Sequence, residues 1–415
     1  MMPDGWEKHP VGKICRSIVP GRNKPKEFSG SIPWVTTPEI KGRYIPSKVQ
    51  QNYVSTETLK ECGGKIVPSG AVVMAAVGEL GLVAIASEEV VLNQQLHAFI
   101  CSGSVHNEYL AYWLSNQKPY METIASKTTI PYLNKTNCES IPVALPPLSE
   151  QRKIATILGT WDKAISTTER LIDNSKQQKK ALMQQLLTGA HTQRKRLLDD
   201  SGKPFEGEWE KVKLKNISAF ITKGATPTTY GYEWQKSGIP FLRSECVGEN
   251  GFKSSGLAFI SNEAHEAMRR SKVFSGDILI TITGNVGRVC RLPANLGEAN
   301  LNQHIAKVTI SSDTVEPVFI YHVLNNYTYR RSFERITTGQ AYPQLSLEQI
   351  RNAVVFLPSK KEQQKIAAVL TNADKEIKLL EQQLADLKQE KKALMQQLLT
   401  GKRRVKVEQT DLKAN

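Results

Sequence analysis

The stretch KKALMQQLLTG fills Lys179–Gly189 and recurs without a change at Lys391–Gly401. Shifting the chain by 212 residues extends the match, with Glu150–Gly189 and Glu362–Gly401 identical at 23 of 40 positions. Upstream the similarity thins but keeps its order. ETIASKTTIPYLN (Glu122–Asn134) lies over ERITTGQAYPQLS (Glu334–Ser346), and SGAVVMAAVGELG (Ser69–Gly81) over SGDILITITGNVG (Ser275–Gly287). SIPW (Ser31–Trp34) matches GIPF (Gly238–Phe241), and Trp6-Glu7-Lys8 matches Trp209-Glu210-Lys211. The offset drifts by a few residues only, so small insertions separate two copies of one unit. Each copy reads as a divergent globular part followed by a near-constant helix.

That helix carries a long stripe. Residues three and four apart in the first copy are Ile154, Leu158, Trp161, Ile165, Thr168, Ile172, Ser175, Lys179, Leu182 and Leu186. The second copy has Ile366, Leu370, Ala373, Ile377, Leu380, Leu384, Leu387, Lys391, Leu394 and Leu398. A 3.5-residue spacing held this long calls for a coiled-coil partner. The helices should run about 37 residues, or roughly 55 Å. Gly189 and Gly401 sit where a left-handed residue ends a helix, and Ser359 with Glu362 has the spacing of a capping box. The first seam is polar at Thr168 and Ser175, so the two helices are expected to pair with each other. Copies related by a pseudo-twofold axis pair their helices antiparallel.

The globular parts read as strand-rich. Val67–Val77 and Phe274–Thr283 are apolar, β-prone runs entered through Ser-Gly turns. Glu108–Gln117 and Val318–Tyr327 read as short helices at matching places. The fold class is therefore α+β: two strand-rich domains joined by two long antiparallel coiled-coil helices with pseudo-twofold symmetry.

Composition narrows the function. Of the 415 residues 40% are hydrophobic and 23% charged, and the net charge is +15. Such a surplus favours a polyanionic partner, of which nucleic acid is the commonest. No apolar run approaches the length of a membrane span, and the first residues lack the features of a signal peptide, so a soluble, cytoplasmic protein is expected. Cys15, Cys62, Cys101, Cys138, Cys246 and Cys290 are scattered, which fits a reducing compartment and speaks against a zinc site. There is no phosphate-binding GxxxxGK[ST], no GxGxxG after a strand, no HExxH and no GxSxG. GxxG at Gly78–Gly81 and Gly284–Gly287 reads as a tight turn between strands. Pro146-Pro147 is flanked by leucines, which accept no amino proton. Asp4 with Glu39 and Lys41 only loosely imitates a metal-dependent nuclease and has no echo in the second copy. Catalytic residues and metal ligands are expected to be absent.

Two related basic domains on a rigid spacer suit two segments of one long polymer, and diverged domains imply that the segments differ. The expected target is bipartite and asymmetric. The rival reading is a structural coiled-coil adaptor without sequence-specific DNA readout, which leaves the charge unused. A diverged nuclease or methyltransferase is a third.

At this point the chain resembles the specificity subunit of a Type I restriction–modification system. The resemblance is carried by IPVALPPLSEQRKIATIL (Ile141–Leu158), its echo VVFLPSKKEQQKIAAVL (Val354–Leu370) and the two LMQQLLTG ends. The patterns in Lys223–Phe241 and Ser275–Gly287 add to it. It implies target-recognition domains at 1–145 and 209–356 and conserved regions with long helices at 146–189 and 357–401. A linker at 190–208 and a basic, polar tail at 402–415 complete the division. It further implies a chain with no enzymatic activity of its own, bound to double-stranded DNA, to two methyltransferase (M) subunits and, in the full complex, to restriction/translocase (R) subunits. S-adenosylmethionine, ATP and Mg are then expected on those partners, with no cofactor in this chain. LPSKKEQ in place of LPPLSEQ implies slightly unequal docking of the two partners. RNKPKEFSGSIPW replaces the pattern of Gly224–Pro227, so that loop carries over less directly to the first copy.

Base edges are read by Arg, Lys, Asn, Gln, Ser and Thr on loops and strand ends, and phosphates by Lys, Arg, Thr and backbone amides. The loops that align between copies yet differ in content are the candidates. In the first domain they supply Lys24, Lys26, Thr36, Thr37, Arg43, Tyr44, Lys127, Thr128, Thr129, Tyr132, Asn134 and Lys135. In the second they supply Lys223, Thr226, Thr228, Tyr230, Arg243, Ser244, Arg269, Arg270, Lys272, Gln340, Tyr342 and Gln344, with Arg243 foremost. Off the seam, Ile157 and Leu187, with counterparts Val369 and Leu399, are expected to face a partner subunit.

Overall fold

The computed structural model describes residues 3–21, 23–46, 50–187, 196–249, 251–337 and 343–407. Two compact units divide the chain: Met1–Glu169 with Gln382–Asn415, and Arg170–Glu381. The division cuts both long helices, Leu148–Leu187 and Lys360–Leu399. Each unit therefore owns the start of one helix and the end of the other.

In the first unit the strands are β1 (Glu7–Pro10), β2 (Cys15–Ile18), β3 (Ile32–Val35), β4 (Tyr44–Ile45), β5 (Tyr53–Val54), β6 (Ile66–Val67), β7 (Val72–Ala75), β8 (Val83–Ala86), β9 (Val90–Leu92), β10 (Leu96–Cys101) and β11 (Pro142–Leu145). They form sheets of order β2-β10-β7-β8-β4 and β5-β3-β9-β6, with β1 and β11 as a separate pair. Val35, Val73, Ala75, Ala84, Leu92 and Ala98 fill a core that draws on both sheets. The opposite face of the larger sheet, through Val72, Met74, Ile85 and Phe99, packs with Tyr109, Leu110 and Trp113 of the helix Asn107–Ser115.

The second unit repeats the plan. Its strands are β12 (Glu210–Lys213), β13 (Ser218–Lys223), β14 (Ile239–Leu242), β15 (Val247–Gly248), β16 (Gly251–Phe252), β17 (Leu257–Ile260), β18 (Lys272–Val273), β19 (Ile278–Thr281), β20 (Val289–Arg291), β21 (Ala299–Leu301), β22 (Ile305–Ile310) and β23 (Val354–Leu357). The orders β13-β22-β19-β20 and β17-β14-β21-β18 match those of the first unit except that β4 has no counterpart and β15 and β16 form an added pair, and β12 pairs with β23 as β1 does with β11. Even the parallel pair recurs, as Trp34↔Val91 in one unit and Phe241↔Asn300 in the other. Divergent sequence has thus kept one topology.

The stripe positions of both helices are buried or half-buried, and the residues between them are mostly exposed. In the first unit Leu398 and Leu399 join Ile154 and Leu158 in one cluster. In the second, Leu186 joins Ile366 and Leu370. The helix segments run antiparallel within each unit: Asp162 binds Lys391 and Glu169 binds Lys388 in the first, while Asp374 binds Lys179 and Glu381 binds Lys176 in the second. These eight residues are four repeat-equivalent pairs. Each copy keeps both charges because each charge meets the opposite one on its twin.

The start of each helix is anchored by a buried glutamine. Gln151 Nε2 donates to the carbonyls of Ser104 and Pro146 at 2.9 and 2.8 Å, and its Oε1 accepts from His106 N at 2.8 Å. Gln363 repeats this with Thr314, Pro358 and Glu316. The preceding glutamate receives an arginine from just beyond the other helix: Arg404 reaches Glu150, and Arg196 reaches Glu362. Glu362 therefore completes only half of the expected capping box. Ser359 Oγ accepts from Glu362 N at 3.4 Å, but the carboxylate turns to the guanidinium, a stronger partner than a neutral amide. The polar stretch after the first helix is likewise docked: Leu197 joins the second core and Lys365 pairs with Asp200 at 2.7 Å. Gly401 has φ 69°, the left-handed conformation of a helix stop; Gly189 lies outside the described residues.

Candidate nucleic-acid interface

Strand-connecting turns meet at one end of each sheet pair. In the second unit Thr226 Oγ1, in the loop after β13, donates to Gln303 Oε1 in the β21–β22 turn. Gln303 Nε2 lies 3.1 Å from His304 Nε2, and His304 Nδ1 lies 2.6 Å from Thr283 Oγ1 in the β19–β20 turn. Thr283 in turn forms a β-bridge with Gln344. Four loops distant in sequence thus share one polar chain. A side chain at Gly224 would place its Cβ 1.7 Å from the Leu301 carbonyl, so only glycine lets the β13 loop approach so closely.

The first unit builds the same meeting point from other residues. Thr37 Oγ1 donates to Gln95 Oε1 at 3.2 Å in the β9–β10 turn, and Val77 in the β7–β8 turn bridges to Tyr132. Gly78 N donates to the Pro131 carbonyl at 2.9 Å. The GxxG glycines take φ 76° and 87° here, and 70° and 79° in the second unit, which gives them the role of strand turns.

The remaining candidates fall into distinct settings. Lys24 and Lys26 are exposed, with Lys24 Nζ 5.7 Å from the Phe28 ring. Thr36 is tied through its amide and hydroxyl to Glu39. Lys127, Thr128 and Thr129 are exposed on the loop leading to Tyr132, itself 45% exposed. Asn134 caps the helix Lys135–Ser140, and Lys135 pairs with Glu139 at 3.6 Å. Arg43 and Tyr44 stand apart. The Arg43 guanidinium lies 3.3 Å over the Tyr112 ring and binds Glu108 at 2.8 Å, while Tyr44 donates to the same carboxylate. That hydrogen bond, aided by partial burial, pushes the Tyr44 hydroxyl up to about 12, so it remains a donor. Tyr112 continues to Asp162 on the long helix, a through-going link from sheet edge to helix.

In the second unit Lys223, Thr228, Tyr230, Arg243, Arg269 and Arg270 are exposed. Arg243 Nε donates to the Gly256 carbonyl at 2.9 Å, which fixes the stem and leaves the outer guanidinium nitrogens facing solvent. Ser244 Oγ sits 3.5 Å from Glu245, and Lys272 pairs with Glu266 at 2.6 Å. Gln344 is exposed beside Thr283, whereas Gln340 and Tyr342 lie outside the described residues. Sequence reasoning passed over the Asn93–Gln95 and Asn302–His304 turns. Their signal was present: Leu-Asn-Gln occurs at Leu92–Gln94 and again at Leu301–Gln303.

Among the described residues no three His, Cys, Asp or Glu side chains cluster as metal ligands. Ile157 and Val369 are half-buried and join the cores of their own units, as do Leu187 and Leu399. No helix among the described residues is long and apolar enough to cross a membrane.

Known proteins share this arrangement. The chain is 25% identical over 371 residues to the "Type I restriction enzyme MjaVIII specificity subunit" of Methanocaldococcus jannaschii, covering 86% of this chain and 83% of that one. It is also 25% identical over 289 residues to the "Type I restriction enzyme EcoBI specificity subunit" of Escherichia coli, covering 66% and 60%. In fold it is similar to the Type-I restriction–modification system S subunit from M. genitalium, with TM-score 0.60 and 14% identity over 95% of this chain and 96% of that one. A chain from a type I R-M system complex gives TM-score 0.57 and 18% identity over 97% and 100%. The sequence pattern of the Type I restriction modification DNA specificity domain matches residues 3–175 and 206–389, most of both copies. The chain belongs to the type I restriction–modification specificity-subunit family.

Proposed function

We propose that the chain is a non-catalytic, sequence-specific DNA-binding subunit that reads an asymmetric, bipartite duplex target. Each recognition domain takes one half, and the paired helices set the distance between the halves. On this reading the chain also carries two methyltransferase subunits and, in the full complex, the restriction subunits. S-adenosylmethionine, ATP and Mg belong to those partners, and the place of action is the cytoplasm, where the DNA is.

One observation carries the proposal. Two domains of one topology gather their turns at corresponding ends, yet fill those turns with different side chains: Gln95 and Tyr132 in one, where the predicted contact Thr37 is buried beneath Gln95, and Thr226, Gln303, His304 and Gln344 in the other. Hydroxyls, amides and an imidazole are base-edge groups, and exposed Lys127, Lys223 and Arg243 beside them suit phosphates or guanine. A shared scaffold with divergent tips is what two unlike half-sites require. A structural adaptor uses neither the divergent turns nor the +15 charge.

The test combines the chain with its methyltransferase subunits and sequences the methylated sites in cells that carry the system. A split motif with a fixed gap is expected; a continuous motif or none sinks the reading. Arg243→Ala then weakens binding to one half only, by about 5- to 150-fold if it holds a guanine through a bidentate contact of about 1–3 kcal/mol. Equal loss at both halves counts against it. Cleavage or methyl transfer by the chain alone, with Mg²⁺ and S-adenosylmethionine, contradicts the non-catalytic assignment.

A further inference from the structure

An ammonium between two solvent-facing phenyl rings marks the outer edge of the second unit. Phe220 on β13 is 61% exposed, and Phe274, just past β18, is 47% exposed. Lys307 of β22 lies between them, its Nζ 6.0 Å from one ring and 5.9 Å from the other. Its Nζ donates to the Lys272 carbonyl at 2.6 Å. Thr222 Oγ1 donates to the Arg270 carbonyl at 3.1 Å, which brings the turn bearing exposed Arg269 and Arg270 alongside. The nearby carboxylates are engaged: Glu266 holds Lys272, and Asp277 accepts from Thr309 and from the Phe274 amide.

Two solvated phenyl rings and a largely desolvated ammonium are costly on a free surface. The first copy avoids the cost. Aligning the repeats through Ser69/Ser275 and Asn93/Asn302, and through the pairing of β2 with β10 and of β13 with β22, places Arg16, Pro68 and Ala98 where the second copy has Phe220, Phe274 and Lys307. A surface for two identical partner subunits recurs in both copies, and this one does not. It belongs with what differs between the domains. It is also continuous with the loop face, because β13 runs from Phe220 to Lys223, three residues or about 10 Å.

We propose that Phe220, Phe274 and Lys307 form an additional duplex-DNA contact, flanking the half-site read by the second domain. This rests on the DNA-reading function given above. The phenyl rings lie against the deoxyribose faces that line the minor groove, the main apolar surface a duplex offers short of its stacked bases. Exposed Arg269 and Arg270 face the phosphates, and Lys307 holds its charge between the two rings.

The complex with the methyltransferase subunits, carrying Phe220→Ala and Phe274→Ala, is compared with wild type by hydroxyl-radical footprinting and by titration of the target duplex. Both side chains are exposed, and matching circular dichroism verifies the fold. The expected result is binding on the order of tenfold weaker, with sugar protection lost only at the nucleotides flanking the second half. Unchanged affinity and footprint, while Arg243→Ala still loses the second half, overturns this contact and leaves the DNA-reading function standing. Failure of the variant to assemble with the methyltransferase subunits overturns it in favour of a protein contact. A wild-type complex with no footprint overturns both.

Discussion

Gln151 and Gln363 show how much a single buried side chain decides. Each amide closes three hydrogen bonds to backbone groups, one in the segment that enters its helix and two in a loop far back along the chain. Gln151→Ala strands two carbonyls and an amide away from water, a loss of about 3 kcal/mol, read as a lower urea midpoint. A second residue-scale prediction concerns pH. Burial holds His97 down to about 4 and His322 to about 3, against 6.5 for a free imidazole. The unfolded chain therefore takes up these protons first. Stability is full above pH 6.5 and declines as pH falls towards the folded-state values. Melting temperature should drop between pH 7 and pH 5, and His322→Gln should flatten that slope relative to its own value at pH 8. The glutamines were visible in the sequence as repeated letters, but their role was not, because their partners lie up to 49 residues away. Arg43 looked like a free cation for the same reason: Glu108 and Tyr112, which engage it, are far along the chain.

At the scale of elements, the long helices were the legible part. A period of 3.5 residues is a local property, and the positions it selects are the ones withdrawn from solvent. The repeat-equivalent ion pairs were implicit in the identities, since Asp162/Asp374, Glu169/Glu381, Lys176/Lys388 and Lys179/Lys391 are all unchanged between copies. Sheet order was not legible. Many strands span only two to four residues, and their pairings, such as parallel β3–β9, join segments more than fifty residues apart. Propensity carries no record of such choices. Removing one heptad from each long helix shortens each by about 10 Å, or roughly three base pairs of duplex. The gap in the methylated motif should contract to match; an unaltered gap removes the spacer role.

At the scale of the molecule, the repeat suggested two domains in series, each ending with its own helix. The compact units divide the chain differently, because each takes the closing turns of its helical layer from the other copy. Leu398 and Leu399 belong to the first core, and Leu186 to the second. Periodicity alone could not assign them, since a heptad seam fixes that a helix needs a partner and leaves open which residues it meets.

The Arg404–Glu150 clasp and the leucines before it make folding of the first domain depend on residues synthesised long after it. The first domain leaves the ribosome early but waits, with part of its core open, for the segment after Glu381 to arrive. A premature stop after Glu381 should spare the recognition domain encoded second and cripple the one encoded first. Limited proteolysis of the shortened chain should cut within residues 3–145 and leave Glu210–Leu357 resistant. In genetic terms, a nonsense mutation just past the codon for Glu381 is felt in the domain encoded well upstream of it.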